Sequence, residues 1–247
     1  MPAPERGAAD AEAAAIAARL GALRERVAAA ARRAGRDPDA VRIVGAAKRQ
    51  SAAKVAAAVA AGLRDVGENY VQEARAKIPE VEAILGPERA RQVAWHGIGH
   101  VQRNKARDAL ACFSRVHTVD DPRLAAELEK HAARANRVLP VLLQVNLSGE
   151  ASKRGVAAEA LPELLAAVAA HPHLRVVGLM TMPAPAEDPE AARPAFARLR
   201  ALRDALREHP GGADLTELSM GMSHDFEVAV EEGATWVRIG SALFGPR

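Results

Sequence analysis

The sequence predicts a single α/β domain, a (β/α)8 TIM-type barrel preceded by an N-terminal helix. Three observations predict it. Eight short apolar or β-branched runs recur along 247 residues; alanine- and charge-rich stretches long enough to be crossover helices separate them; and most runs are apolar on both faces, as strands of a parallel sheet covered on both sides must be. About 250 residues for eight such units is the usual size of that barrel, and an open doubly wound sheet is the runner-up. Residues 1–10 are expected to be a flexible N-terminus and 11–247 the barrel. From about Ala11 to Ala34, Ile16, Leu20, Leu23 and Val27 recur at three- and four-residue steps, the period of a helix with one apolar face. The strand candidates then follow in order: VRIVGAA (41–47), LRDVGE (63–68), VAWHGIG (93–99), SRVHTVD (114–120), PVLLQVNL (140–147), RVVGLMTM (175–182), TELSMGM (216–222) and TWVRIGSALFG (235–245). The Pro-rich piece at 182–194 fits a long strand-to-helix loop at the barrel mouth.

Composition narrows the function. Apolar residues make up 49% and charged residues 26%, ordinary for a globular protein. The formal net charge is +3 with no basic block, and aromatics are 3%, so neither an electrostatic stripe nor a stacking platform for nucleic acid is present. A single cysteine, Cys112, excludes an internal disulfide and any multi-cysteine metal site. The N-terminus is interrupted by Glu5, Arg6, Asp10 and Glu12, and no 18-residue apolar span occurs. Neither a signal peptide nor a membrane helix is expected, and the cytoplasm is the expected compartment.

A barrel places chemistry at the C-terminal ends of its strands, and the polar exceptions fall there. Lys48 ends the first run, in a chain with six lysines against 28 arginines. A lysine at the mouth of a buried strand can lose its proton to desolvation, and the free amine can condense with an aldehyde, as in holding pyridoxal phosphate; the alternative is a solvated lysine marking the strand end. Glu68, Asn69 and Tyr70 follow the second run; Asn69 and Tyr70 also suit the cap of a helix starting near Val71. His96 beside Trp95 reads as a hydrogen-bonded core histidine, and no metal site is expected. Gln102, Asn104 and Lys105 suit a helix start. Gln144 and Asn146 alternate on one strand face and suit a polar layer inside a barrel. Met180 and Met182 suit irregular core gaps.

The densest constellation lies on the last two runs. Arg238 and Gly240 share one strand face, and the amides of Gly240 and Ser241 can point at an anion. Ser223, flanked by Ser219 upstream, is expected to cap a helix starting at about Asp225, so that amides and a hydroxyl converge where a phosphate would sit. With Lys48 on the first strand, the pattern describes an aldehyde at one end of a ligand and a phosphate at the other.

From the first helix to Gly245 the chain resembles the pyridoxal phosphate homeostasis proteins, which share the barrel of the alanine racemase N-terminal domain. The motifs that carry the resemblance are the Lys48 strand, GENYVQE (67–73), WHGIGHVQRNK (95–105), QVNLSGEASKRGV (144–156), GLMTM (178–182), LSMGMSHDFEVAV (218–230) and VRIGSALFG (237–245). The resemblance implies pyridoxal 5'-phosphate as a covalent aldimine on Lys48, with its phosphate on Ser219, Ser223, Gly240 and Ser241. It also implies Arg238 at the pyridine nitrogen and Asn69 near the ring. Three departures stand out: Gly97 replaces a bulky aromatic, Val66 a phenylalanine, and Arg49-Gln50-Ser51 a threonine- and proline-containing stretch. They are expected to soften the packing around the ring and the loop after Lys48. An arginine only donates and leaves the ring a poorer electron sink than a carboxylate would. The chain ends just after its eighth run, so a racemase-type second domain carrying a second base is expected to be missing. The expected function is therefore a carrier that buffers the cofactor and passes it to apo-enzymes, as a monomer with no nucleic-acid or membrane partner. The alternatives are an amino-acid racemase or lyase using Tyr70, His96 or the pair Lys105 and Lys153, a Schiff-base aldolase for a sugar phosphate, and a basic RNA-associated barrel. Whether Lys105 or Lys153 handles the cofactor is left open.

Overall fold

The computed structural model describes residues 3–148, 150 and 153–246; positions 149, 151 and 152, within the QVNLSGEASKRGV motif, and 1, 2 and 247 lie outside the described residues. Eight parallel strands close into a barrel in sequence order. They are β1 (Arg42–Ala46), β2 (Asp65–Glu68), β3 (Ala94–Gly97), β4 (Arg115–Val119), β5 (Leu139–Gln144), β6 (Leu174–Met180), β7 (Glu217–Ser219) and β8 (Trp236–Ile239). Closure is made by β8 on β1, with Val44 opposite Arg238 in register. Helices α1 (Ala3–Arg33), α2 (Ala52–Ala60), α3 (Val71–Leu85), α4 (Pro87–Ala90), α5 (Ala106–Cys112), α6 (Pro122–Arg134), α7 (Leu161–Ala169), α8 (Arg193–Leu206), α9 (Phe226–Glu231) and α10 (Ser241–Phe244) surround it.

Local chemistry sets many of these boundaries. The Ser51 hydroxyl accepts from the Lys54 amide at the start of α2, and Asp121 accepts from the Arg123 amide ahead of Pro122, the first residue of α6. Both satisfy amides that a helix start leaves orphaned, and proline at the first position loses nothing. Helix α1 buries Ile16, Leu20, Leu23 and Val27, the predicted stripe, against α2, α9 and α10, so it seals the outer ring where the chain's first and last units meet. The helix begins at Ala3 rather than at Ala11, in keeping with alanine's high helix propensity.

All eight strands are shorter than their apolar runs, and the last two fall short the most. The seventh run stops at Ser219, shortly before Gly221 turns the chain at φ 91°. The eighth stops at Ile239: Gly240 leaves the extended region, and Ser241–Phe244 is one helical turn rather than strand. Asn146 likewise lies beyond β5, not on it.

Strand alternation divides the core. Val66, Val237 and Ile239 face outward into the shell packed by the helices, whereas Val44, Ile98 and Trp236 pack together inside. Gly67 is glycine for a steric reason: a Cβ there would lie 2.7 Å from Ile98 and 2.8 Å from Val44. At the N-terminal end of the strands, the Trp236 ring is covered by the Arg42 and Arg115 guanidiniums, at 3.9 and 5.0 Å. Glu217 accepts from Trp236 Nε1 at 2.9 Å and pairs with both arginines. That end is closed by a cation–aromatic plug, and the opposite end is open. Among the described residues, no helix is long and apolar enough to cross a membrane.

Candidate functional site

The open end holds a cavity of about 590 Å³ lined by Ala46, Lys48, Asn69, Ile98, Met182, Met222, Ser223, His224, Arg238, Gly240 and Ser241. Six of the seven residues nominated from sequence meet there: Lys48 just after β1, Asn69 after β2, Ser223 in the turn before α9, and Arg238, Gly240 and Ser241 at the end of β8. They converge because β1 and β8 are neighbours only through closure, which sets opposite ends of the chain side by side. Asn69 is held by contact with a glycine: a Cβ on Gly99 would lie 2.4 Å from the Asn69 carbonyl oxygen. Tyr70, not Asn69, occupies the cap position of α3, and no side-chain cap bond is made there.

Ser219 is the exception. It is fully buried and does not line the cavity. Its hydroxyl accepts from Arg238 Nη1 at 2.7 Å and lies 2.8 Å from His117 Nδ1. In this geometry Ser219 supports Arg238 from beneath rather than lining the cavity where a phosphate contact was expected. Ser223 also departs from its expected role. It does not cap α9, whose cap position is Asp225; its Oγ accepts instead from the amides of Gly240 and Ala242, each at 3.3 Å. A hydroxyl that accepts twice still has its proton to give, and the Ser241 amide, first of α10, has no intrahelical acceptor. Hydroxyl, amide and nearby guanidinium form a donor set suited to an anion. Gly240 leaves that cradle open: a Cβ there would meet the protein no closer than 3.6 Å.

Below the cavity runs a chain of hydrogen bonds. Arg238 also donates to the Thr181 carbonyl at 3.0 Å. His117 Nε2 lies 2.9 Å from His96 Nδ1, and His96 Nε2 lies 3.0 Å from Asp65 Oδ1. The directions follow from the Asp65 end. Asp65 can only accept, so His96 donates from Nε2; burial keeps both rings neutral, so His96 Nδ1 accepts from His117 Nε2, and His117 Nδ1 accepts from the Ser219 hydroxyl. Burial lowers the His117 pKa well below the ordinary value and lowers that of His96 against the opposing pull of Asp65. Burial also brings Arg238 down to about 10, so it remains a cation at neutral pH.

Sequence reasoning nominated neither His117 nor Thr181, and it did not assign Met222 and His224 to the cavity. The alternation of β4 was the available signal for His117. His96 is the hydrogen-bonded core histidine expected, and Gln144 is buried as a polar-layer residue would be. Met180 is buried, while Met182 opens onto the cavity from the Pro-rich mouth loop. Lys105 lines a neighbouring cavity of about 420 Å³ that shares Asn69, and Lys153 pairs with Glu150 at 2.8 Å. Gly97 and Val66 face the helices, not the cavity: a Cβ on Gly97 would lie 2.8 Å from Phe113, whose ring fills the space. Those two departures therefore leave the cavity wall unchanged. Among the described residues no cluster suited to a metal occurs.

The barrel, with its lysine after β1 and its anion cradle at β8, defines a class: residues 18–247 match the alanine racemase N-terminal domain. Within that class the chain belongs to the pyridoxal phosphate homeostasis protein family. The family's protein from Pseudomonas aeruginosa is 46% identical over 232 residues, covering 94% of this chain and 96% of its own. PipY of Synechococcus elongatus, in a structure with PLP bound, superposes with a TM-score of 0.80 at 35% identity, covering 93% of this chain and all of that one. Alanine racemase from Corynebacterium glutamicum shares the fold at a TM-score of 0.64 and 19% identity, over 92% of this chain and 62% of that one.

Proposed function

We propose that this protein binds pyridoxal 5'-phosphate through Lys48 and serves as a carrier and buffer of the cofactor, releasing it to apo-enzymes. The observation that carries the reading is the shape of the donor set. One amine enters the cavity from the end of β1, and the anion cradle of Ser223, Ser241 and Gly240 lines the same cavity together with Arg238 of β8. Lys48 would hold the cofactor through its aldehyde, and the cofactor, when bound, would supply an electron-withdrawing group at that end. Ser223 would donate its hydroxyl proton to the phosphate, Asn69 would border the ring, and Arg238 would serve as a fixed donor at the ring nitrogen. PipY supports this reading as a relative solved with PLP bound.

A carrier is favoured over a racemase or lyase by where the proton donors sit. Tyr70 is 52% exposed and outside the cavity lining; His96 is buried beneath it. Lys105 opens into the adjacent cavity and Lys153 is ion-paired. None of the four groups named from the sequence for a second acid/base role lines the cavity, and the one histidine that does, His224, has its Nε2 2.7 Å from the Glu187 carbonyl, which suits storage and release better than turnover. The barrel closes its core within one chain, and a monomer is the expected state. The deciding experiment is the visible spectrum of the purified protein before and after borohydride, with the reduced adduct mapped by mass spectrometry. A chromophore fixed on Lys48 and absent from Lys48→Ala supports the proposal. A colourless protein that takes up no added pyridoxal phosphate overturns it.

A further inference from the structure

Lys48 sits in a turn that the chain does not adopt freely. Arg49, the next residue, has φ 61°, the left-handed region in which an L side chain crowds its own backbone. Glycine would take this conformation without strain, yet the position holds arginine. One backbone bond closes the turn from within, the Gln50 amide donating to the Ala47 carbonyl at 2.9 Å, and the support from outside comes from α3. Glu73 Oε1 accepts from the Arg49 amide at 2.5 Å. Lys77, four residues on and so on the same helix face, donates from Nζ to the Ala47 carbonyl at 2.7 Å and to Glu73 at 2.8 Å. Lys77 is in turn paired with Glu68, the last residue of β2, at 2.5 Å. The main chain is gripped on both sides of Lys48, at Ala47 and at Arg49.

The grip is made of charges removed from water. Lys77 is 7% exposed and Glu68 is fully buried. A buried ion cluster gives the fold little that well-packed apolar residues would not, so stability alone does not account for placing one here. Its contacts fall on the residues before and after the lysine that lines the cavity, and the Lys48 side chain is left out of the cluster to face the cavity.

We propose that Lys77 and Glu73 are positioning residues for Lys48: they hold a strained turn in the one conformation that aims its amine at the aldehyde of a bound ligand. This rests on the reading of Lys48 as the attachment point. The role is separable from ligand binding itself, because the anion cradle on β8 and in the turn before α9 has no contact with the clamp. The clamp should therefore matter for imine formation and not for holding the rest of the ligand.

The test compares two probes on the full chain. Pyridoxal phosphate reports imine formation by its visible band. Pyridoxine phosphate, which has the ring and the phosphate but no aldehyde, reports cradle binding by calorimetry. In Glu73→Ala and Lys77→Met, the apparent affinity for pyridoxal phosphate should fall about tenfold, the factor expected when a left-handed residue is no longer held. Pyridoxine phosphate should stay within about twofold of wild type. Adding Arg49→Gly to Glu73→Ala should recover about threefold or more, since glycine keeps the turn without support; a collapsed site would not be rescued in this way. Lys77→Met leaves two carboxylates unpaired and is the variant at risk of misfolding, but Glu73 is partly exposed, and its variants decide the matter alone. Unchanged imine formation in folded Glu73→Ala, or an equal loss for both probes, overturns the clamp. A wild-type protein that binds pyridoxine phosphate yet forms no imine with pyridoxal phosphate overturns the Lys48 reading, and the clamp with it.

Discussion

Ser219→Ala separates a phosphate ligand from a support beneath Arg238. The substitution removes one oxygen from a site with no solvent. Arg238 Nη1, in a side chain 4% exposed, loses its acceptor at 2.7 Å, and His117 Nδ1 loses the hydroxyl at 2.8 Å. Leaving one buried polar group unsatisfied costs about 1–3 kcal/mol, with charged donors at the upper end. Thr181 still accepts from Nη2, so the guanidinium is not wholly stranded. About 2–3 kcal/mol is expected for the pair, which for a chain of this length corresponds to a melting-temperature fall of roughly 4–12 °C. Urea unfolding of the ligand-free protein measures the cost, and calorimetry with pyridoxine phosphate measures the cradle. The expected result is a clear loss of stability with pyridoxine phosphate affinity within about threefold of wild type. A loss below about 0.5 kcal/mol, or a tenfold loss of affinity at unchanged stability, would refute the assignment and return Ser219 to the phosphate.

Three further substitutions test other parts of the structure. Ser223→Ala deletes the hydroxyl that joins the α9 turn to the amides of Gly240 and Ala242; it should weaken phosphate binding by about 1–2 kcal/mol, and unchanged retention would place the phosphate elsewhere. Glu68 is pushed up to about 7 because burial outweighs the pull of Lys77, and its Oε2 is buried with no partner among the described residues. With the folded pKa above the unfolded value, the folded state holds more protons, so this contribution is full below about pH 4.5 and is lost as pH rises through about 7. Glu68→Gln should flatten the fall in stability across that window, and an unfolding midpoint that follows wild type at about pH 5, 6, 7 and 8 would count against it. Gly97→Ala brings a Cβ within 2.8 Å of Phe113 and should cost about 1–3 kcal/mol through overpacking while leaving cofactor retention unchanged. Loss of retention without loss of stability would mean that Gly97 faces the ligand after all.

The barrel was readable because its evidence is local. Each strand run carries its own apolar pattern, and eight in alternation with helices admit few other architectures. Strand ends were less readable where the chain stays apolar while changing conformation: ALF in α10 looks like continued strand because Leu243 and Phe244 are as buried as the residues of β8, and only the preceding glycine signals the break. The cavity residues were accessible for a related reason. Lys48, Asn69, Ser223 and Ser241 are polar residues that end or follow apolar runs, and closure of the barrel turns eight separate strand ends into one site.

The supports beneath the site were hidden, and Ser219 shows why. From sequence it is one more hydroxyl in a row with Ser223, four residues on. Its depth is set by the chain stopping its strand and turning at Gly221, so that one serine stays in the wall and the other reaches the mouth. Lys77 is hidden more completely: helix periodicity puts it on the buried face of α3, where a lysine contradicts the pattern, and of its partners only Glu73, four residues before it, is near in sequence. The other two are a carbonyl 30 residues upstream and a carboxylate at the end of the preceding strand. A polar residue that breaks an apolar face is therefore the sequence signal to follow in such a barrel. Its explanation lies in whichever loop closure has brought above it, and here that loop is the one carrying Lys48.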